Sequence, residues 1–344
     1  MIVDADTLEV AVIEPDALHI PSSARQDMSH VVLGDFLVST TGAGFIREVT
    51  SRSLSDDTII FGTRRAALGD IITKGHVIDS WSFGPTGAKL ATTAVPDPAA
   101  AGGEVLRVDL PETIIYEDPY VQMVLTNGYV DFAPVLSLDM ELDNGGLEYF
   151  AAEFSTATVV NLEVDVRVLQ GGSNIFAKET RLWESRPYFV SVPLGPIPLI
   201  MQVVFAVDAD IAVNTDGGNT HFGMRLAAAP STIVKFQEQA WSTEWNNFQI
   251  YGWPQEPTID VPENLSVQAG VTPSVEIKFY GVVGPKFAAR PSMTLTTDLR
   301  QQLWNLDAQL EANVSVELDG VIPGLPNFEK NLLSLEKSLG SGTY

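Results

Sequence analysis

Residues 304–318 read WNLDAQLEANVSVEL. Trp304, Leu306, Ala308, Leu310, Ala312, Val314, Val316 and Leu318 alternate with Asn305, Asp307, Gln309, Glu311, Asn313, Ser315 and Glu317. A helix would scatter those apolar residues around its whole circumference, whereas a strand sends successive side chains to opposite faces. The segment therefore predicts a strand with one buried face. The same alternation recurs over Phe132, Pro134, Leu136, Leu138, Met140 and Leu142, ending at the turn sequence Asp143-Asn144-Gly145-Gly146. It recurs from Val160 to Val168 before Gly171-Gly172, from Met201 to Val213 before Asp216-Gly217-Gly218, and over residues 265–271 and 275–279. Alternation sustained over about 10 to 15 residues exceeds the usual strand of about 5 or 6 and belongs to antiparallel sheets with one wet face. The fold expected is all-β: a small N-terminal meander, a larger antiparallel sandwich or curled sheet of long strands, and a short C-terminal helix.

The chain has 344 residues, room for about two domains. Its net charge of −24 opposes binding to phosphate backbones and anionic lipid, so nucleic acid is not an expected partner. With 45% hydrophobic and only 19% charged residues it is no disordered acidic tail. Much of the acid falls on the outward positions of the alternating strands. The absence of cysteine removes disulfides, thiolate metal sites and thiol nucleophiles. The first Lys or Arg is Arg25, so the N-terminus lacks the basic start of a signal peptide. The most apolar stretch, residues 192–207, is interrupted by Pro193, Pro196 and Pro198 and predicts a buried strand, not a membrane span.

Residues 1–83 have a finer grain, with short strands expected at 36–39, 45–51 and 58–62 and a turn or two of helix within 66–74. Residues 84–103 concentrate Gly, Pro, Ala and Thr and predict a linker or long loop. Residues 104–325 form the expected large antiparallel domain, and 326–344 a helix and tail. In that last segment Phe328, Leu332, Leu335 and Leu339 fall on one helical stripe, with Asn327 placed to cap it and Gly340 to stop it.

Catalysis has no anchor in the sequence. His19, His30, His76 and His221 lack metalloprotease spacing, and no nucleophile elbow exists. Neither 84–89 nor 42–44 matches a phosphate-binding loop. No cofactor is expected. Calcium is the exception considered, on Asp208, Asp210, Asn214 and Asp216, although Asp208 and Asp210 also read as ordinary polar positions near a strand end. Trp241, Trp245, Tyr251 and Trp253, with Phe248, lie amid Asn, Gln, Ser and Glu. Such residues form either a stacking platform for sugar rings or part of a sandwich core.

The segments Gly34-Asp35-Phe36-Leu37-Val38-Ser39, Gly42-x-Gly44-Phe45-Ile46-Arg47-x-Val49-Thr50, Asp57-Thr58-Ile59-Ile60 and Thr63 through Ile72 resemble a module of secreted or surface proteins of bacteria of the myxobacterial kind. A looser similarity covers Gln239, Trp241, Trp245 and residues 278–285. The resemblance touches about half the chain, implies a β-rich fold and an extracellular or cell-surface habitat, and carries no catalytic residues. The expected function is thus non-enzymatic and structural, with self-association into a filament or matrix by strand addition. The donor strand expected is residues 7–13, with Leu8, Val10 and Val12, which would otherwise be an ordinary first strand. The alternatives are glycan binding through the residue 241–253 aromatics, or a viral capsid or tail component.

Overall fold

The computed structural model describes residues 1–24, 26–85, 87–90, 105–168, 176–195, 197–215, 218–229, 231–246, 250–259, 264–281, 284–298, 300–318, 322 and 325–343. Strands make up 76% and helices 3%, so the chain is all-β, and one sheet curls into a half-barrel.

A six-stranded sheet comes first: β1 (Ile2–Val3), β2 (Val12–Ile13), β3 (Ala17–Pro21), β4 (Phe36–Ser39), β5 (Phe45–Ser55) and β6 (Thr58–Arg65), in the order β1-β4-β5-β6-β3-β2. Only β1 and β4 run parallel within it. One face encloses a small core of Leu18, Ile20, Leu37, Val49 and Phe61. From the other face, Val38 and Ile46 join the core of the rest of the molecule.

The next strands are β7 (Lys74–Gly84), β8 (Gly87–Leu90), β9 (Leu106–Leu110), β10 (Thr113–Glu117), β11 (Val121–Asp143) and β12 (Gly146–Val168). Then follow β13 (Phe176–Glu184), β14 (Tyr188–Leu194), β15 (Ile197–Thr215), β16 (Asn219–Ala228), β17 (Ser231–Gln237), β18 (Ala240–Asn246) and β19 (Ile250–Ile259). The last four are β20 (Leu265–Phe279), β21 (Lys286–Asp298), β22 (Leu303–Val316) and β23 (Phe328–Thr343). β7 to β12 and β16 to β19 make a ten-stranded sheet around the β11–β12 ribbon; β13 to β15 and β20 to β23 make a seven-stranded sheet. Their apolar faces share one core, bridged by pairs such as Phe132 with Phe205 and Phe150 with Phe279.

The β11–β12 ribbon closes through a two-residue loop in which Asn144 and Gly145 have φ of 50° and 77°, the left-handed pair that a type I′ hairpin demands. Its alternation is legible from Phe132 onward because a bulge after Leu125 resets the phase: Val121, Met123 and Leu125 face inward before it, Val130 and Phe132 after it. The apolar residues 192–207 form a hairpin of β14 and β15, with Pro193 opposite Pro198. No helix among the described residues is long and apolar enough to cross a membrane.

Several expectations need correction. The C-terminal helix is the strand β23. Two bulges opposite Leu306/Asp307 and Ala312/Asn313 each insert one extra residue, Leu339 and Leu332, and so space the half-buried Phe328, Leu332, Leu335 and Leu339 as a helix would. Gly340 does not stop a helix; it lies against the Trp304 indole, and a Cβ on Gly342 would come within 2.8 Å of that ring. Conversely, residues 7–13 are not a strand. Asp4 accepts a 2.7 Å hydrogen bond from the Thr7 amide and caps helix α1 (Ala5–Val10), so Leu8 and Val10 are helical and only Val12 and Ile13 pair as strand. In the expected linker, Gly87–Leu90 is β8, paired with β7, while residues 91–104 lie outside the described residues. The boundary expected at residue 83 is also displaced, since β7 belongs to the ten-stranded sheet and the six-stranded one ends at Arg65. The helical turn expected within 66–74 is a 3-10 turn, Leu68–Asp70.

Candidate functional site

A cleft of about 840 Å³ lies where the N-terminal sheet meets the seven-stranded one, within the size range of small-molecule sites. Leu8 and Glu9 of α1 and Ile13 of β2 form one wall; Phe45, Arg47 and Arg65 come from β5 and β6, and Phe279 and Tyr280 from the end of β20. Glycine makes the junction close. Gly44, at φ 67°, leaves room for the Tyr280 ring, which would stand 3.0 Å from a Cβ there. Tyr280 is itself fixed: its amide donates to the Ile200 carbonyl at 3.0 Å and its hydroxyl donates to the Pro198 carbonyl. Burial raises its phenol well above the ordinary range.

Arg47 is held by neutral oxygens. Its Nη1 donates to the carbonyls of Glu14 (2.6 Å) and Ala17 (3.3 Å) and to Thr63 Oγ1 (3.2 Å), and its guanidinium lies 5.2 Å from the Phe45 ring centre. Burial first, then the charge of Arg65, lowers its pKa, while Asp16 opposes them. Arg65 stands directly across the β5–β6 ladder from Arg47. Sequence reading placed Gly44, Phe45 and Arg47 in one stretch but took them for turn and core residues. No local signal brings Leu8, Arg65 and Tyr280 to them.

No family model, no curated protein and no solved structure matches this chain.

The residues expected as calcium ligands are engaged otherwise. Asp208 accepts from Arg181; Asp210 accepts from Arg290 Nε at 2.7 Å and from Thr272 Oγ1 at 3.1 Å. Both carboxylates are nearly buried, and a charge in that position requires such a partner. Gly270 permits the second pair: a Cβ there would stand 3.0 Å from the Asp210 carboxylate, so only glycine lets Arg290 reach across β20 to β15. Asn214 is exposed near the end of β15, and Asp216 lies outside the described residues. Among the described residues, no three His, Cys, Asp or Glu side chains converge to hold a metal ion.

The expected aromatic platform is divided between two faces of its sheet. Trp241 turns inward opposite Phe236, stacks on Phe328 with ring centres 5.9 Å apart, and donates its indole N–H to the Pro326 carbonyl at 2.9 Å. Trp245 shares that side at the open edge and is 49% exposed. Tyr251 and Trp253 project from the opposite face of β19, paired with Ala227 and the exposed Arg225. Their rings are nearly parallel, at 24°, with centres 6.5 Å apart, and the Arg225 guanidinium is 5.7 Å from the Trp253 ring centre. Phe248 lies outside the described residues.

Proposed function

We propose that this chain is a non-enzymatic structural protein of an extracellular or cell-surface layer, joined to further copies of itself by strand addition. One observation carries the reading: β2 ends its sheet with the apolar Val12 (59% exposed) and Ile13 (48%) in solvent, next to the equally exposed Val10. An end strand with apolar side chains and free backbone groups on one edge is a template for another chain. Two sandwich edges, by contrast, are screened. β23 lies against β18 and β19 through the Phe328–Trp241 stack and Leu339 over Gly252, while β14 abuts β7 through Tyr188, whose hydroxyl donates to the Gly84 carbonyl. The resemblance of the Gly34–Ile72 segments to bacterial surface proteins supports the habitat. Here β2 is a receiving edge, not the free donor strand expected from residues 7–13.

Sedimentation velocity over a wide concentration range tests this. The wild type is expected to gain mass with concentration, and Val12→Asp, which places a charge on the exposed edge without touching the core, to remain monomeric. A wild type that stays monomeric throughout, or a variant that associates equally well, removes the reading.

Tyr251 and Trp253 favour a second reading, a glycan-binding face, because two near-parallel half-exposed rings offer stacking surface for sugars beside a cationic donor. Retention on immobilised polysaccharides should be lost in Trp253→Ala. The absence of any retention by the wild type, or full retention by the variant, rules this out.

A further inference from the structure

We propose that the cleft between α1 and the β20–β21 turn binds a small amphipathic carboxylic acid, its apolar body against Leu8, Ile13, Phe45 and Leu68 and its carboxylate on the guanidinium groups of Arg47 and Arg65. The inference is separate from self-association: it needs the cleft and its two arginines, and shares with the β2 edge only the Ile13 side chain.

The charge arrangement identifies the head group. Across the β5–β6 ladder, Glu48 faces Arg64 and pairs with it at 2.8 Å, as cross-strand neighbours of opposite sign do. One step along, Arg47 faces Arg65, like charge against like charge, on the side that lines the cleft. Directly opposed like charges destabilise a ladder. In a chain of net charge −24, carboxylates are abundant, yet neither guanidinium forms an ion pair among the described residues. The acceptors on Arg47 are two carbonyls and a hydroxyl, which orient it without neutralising it. A planar carboxylate matches the guanidinium fork and relieves both the repulsion and the uncompensated charge. Burial also strips water from the Arg47 guanidinium, and an anion beside it offsets that lost solvation.

The lining identifies the body. Apart from the arginines, Glu9 and the hydroxyls of Ser39, Thr41 and Tyr280, the walls are aliphatic or aromatic. Such a surface rewards methylene groups by about 0.8 kcal/mol for each one buried. Glu9, on the exposed side of α1, is the carboxylate in the lining and opposes an anionic ligand.

Isothermal titration calorimetry with the full chain tests the proposal, using dodecanoate, dodecanol and acetate. Dodecanoate is expected to saturate one site, dodecanol to bind at least about tenfold more weakly, and acetate to give no saturable heat. Arg65→Ala, a change at an exposed position that leaves the core intact, should weaken dodecanoate about tenfold without altering dodecanol. Glu9→Gln should bind dodecanoate at least as tightly as the wild type. No saturable binding of dodecanoate, equal affinity for dodecanol, an Arg65→Ala protein indistinguishable from wild type, or weaker binding by Glu9→Gln would each overturn it.

Discussion

Replacement of Phe205 by alanine is expected to destabilise the fold by about 3–5 kcal/mol, the range for a large aromatic removed from a packed core. The ring is 1% exposed at the centre of the sandwich. It meets Phe83 of β7 at 5.3 Å, Phe132 of β11 at 5.6 Å and Tyr188 of β14 at 5.6 Å between ring centres. These neighbours come from both large sheets, so the void cannot be closed by moving one strand, and little of the lost contact is recovered by relaxation. Phe205→Leu refills most of the space and should cost clearly less. Equilibrium unfolding in urea reads both values. A loss of under about 1 kcal/mol for Phe205→Ala would show that the two sheets are not held together at this point.

The second large effect is expected at a glycine in contact with another glycine. A Cβ on Gly69, in the 3-10 turn between the first two sheets, would sit 1.9 Å from the Gly145 carbonyl oxygen, and one on Gly145 would sit 2.7 Å from the Gly69 carbonyl. The obstructing atoms are backbone, and the Gly145 amide is tied to the Thr73 carbonyl at 3.1 Å, so neither side can yield by rotating a side chain. Gly69→Ala must lift the tip of the β11–β12 ribbon off the N-terminal part, at a cost of about 2–3 kcal/mol, toward the upper end of overpacking. Gly146→Ala is the control: its Cβ would meet the Asp143 carbonyl at an ordinary 3.5 Å, and it should unfold close to the wild type. Equal midpoints for wild type and Gly69→Ala would refute the close approach.

The elements read correctly from sequence share one property: their pairing is regular. From Trp304 to Val316 every apolar position of the alternation is buried, and the Asn144-Gly145 turn follows from the two left-handed residues that a two-residue hairpin requires. Where pairing is irregular the pattern misled. β23 carries two bulges, each of which advances the phase by one residue, and leucines that pack on a sheet then acquire helical spacing. The alternation of Leu8, Val10 and Val12 suggested a strand, yet the Asp4 side chain had an amide to cap and the segment wound into α1. In β12 the run Ala151 to Val159 has little polar contrast, so a strand of 23 residues was legible only in its last third.

The candidate sites divide in the same manner. That Asp208 and Asp210 are carboxylates on one face of a strand follows from their spacing; that arginines neutralise them depends on β13 and β21, remote in the chain, and on the missing side chain of Gly270. The aromatics from Trp241 to Trp253 are neighbours in sequence, but Trp241 pairs with β17 and Tyr251 with β16, and those registers send them to opposite faces. Sequence by itself determined that this is an all-β chain of long one-sided strands with its acid on the wet faces, because period-two alternation is a property of a single strand. Tertiary structure alone decided the bulges, the screened edges and the cleft that opposes Arg47 to Arg65. Each of these depends on which distant strand lies alongside, and no local periodicity encodes that.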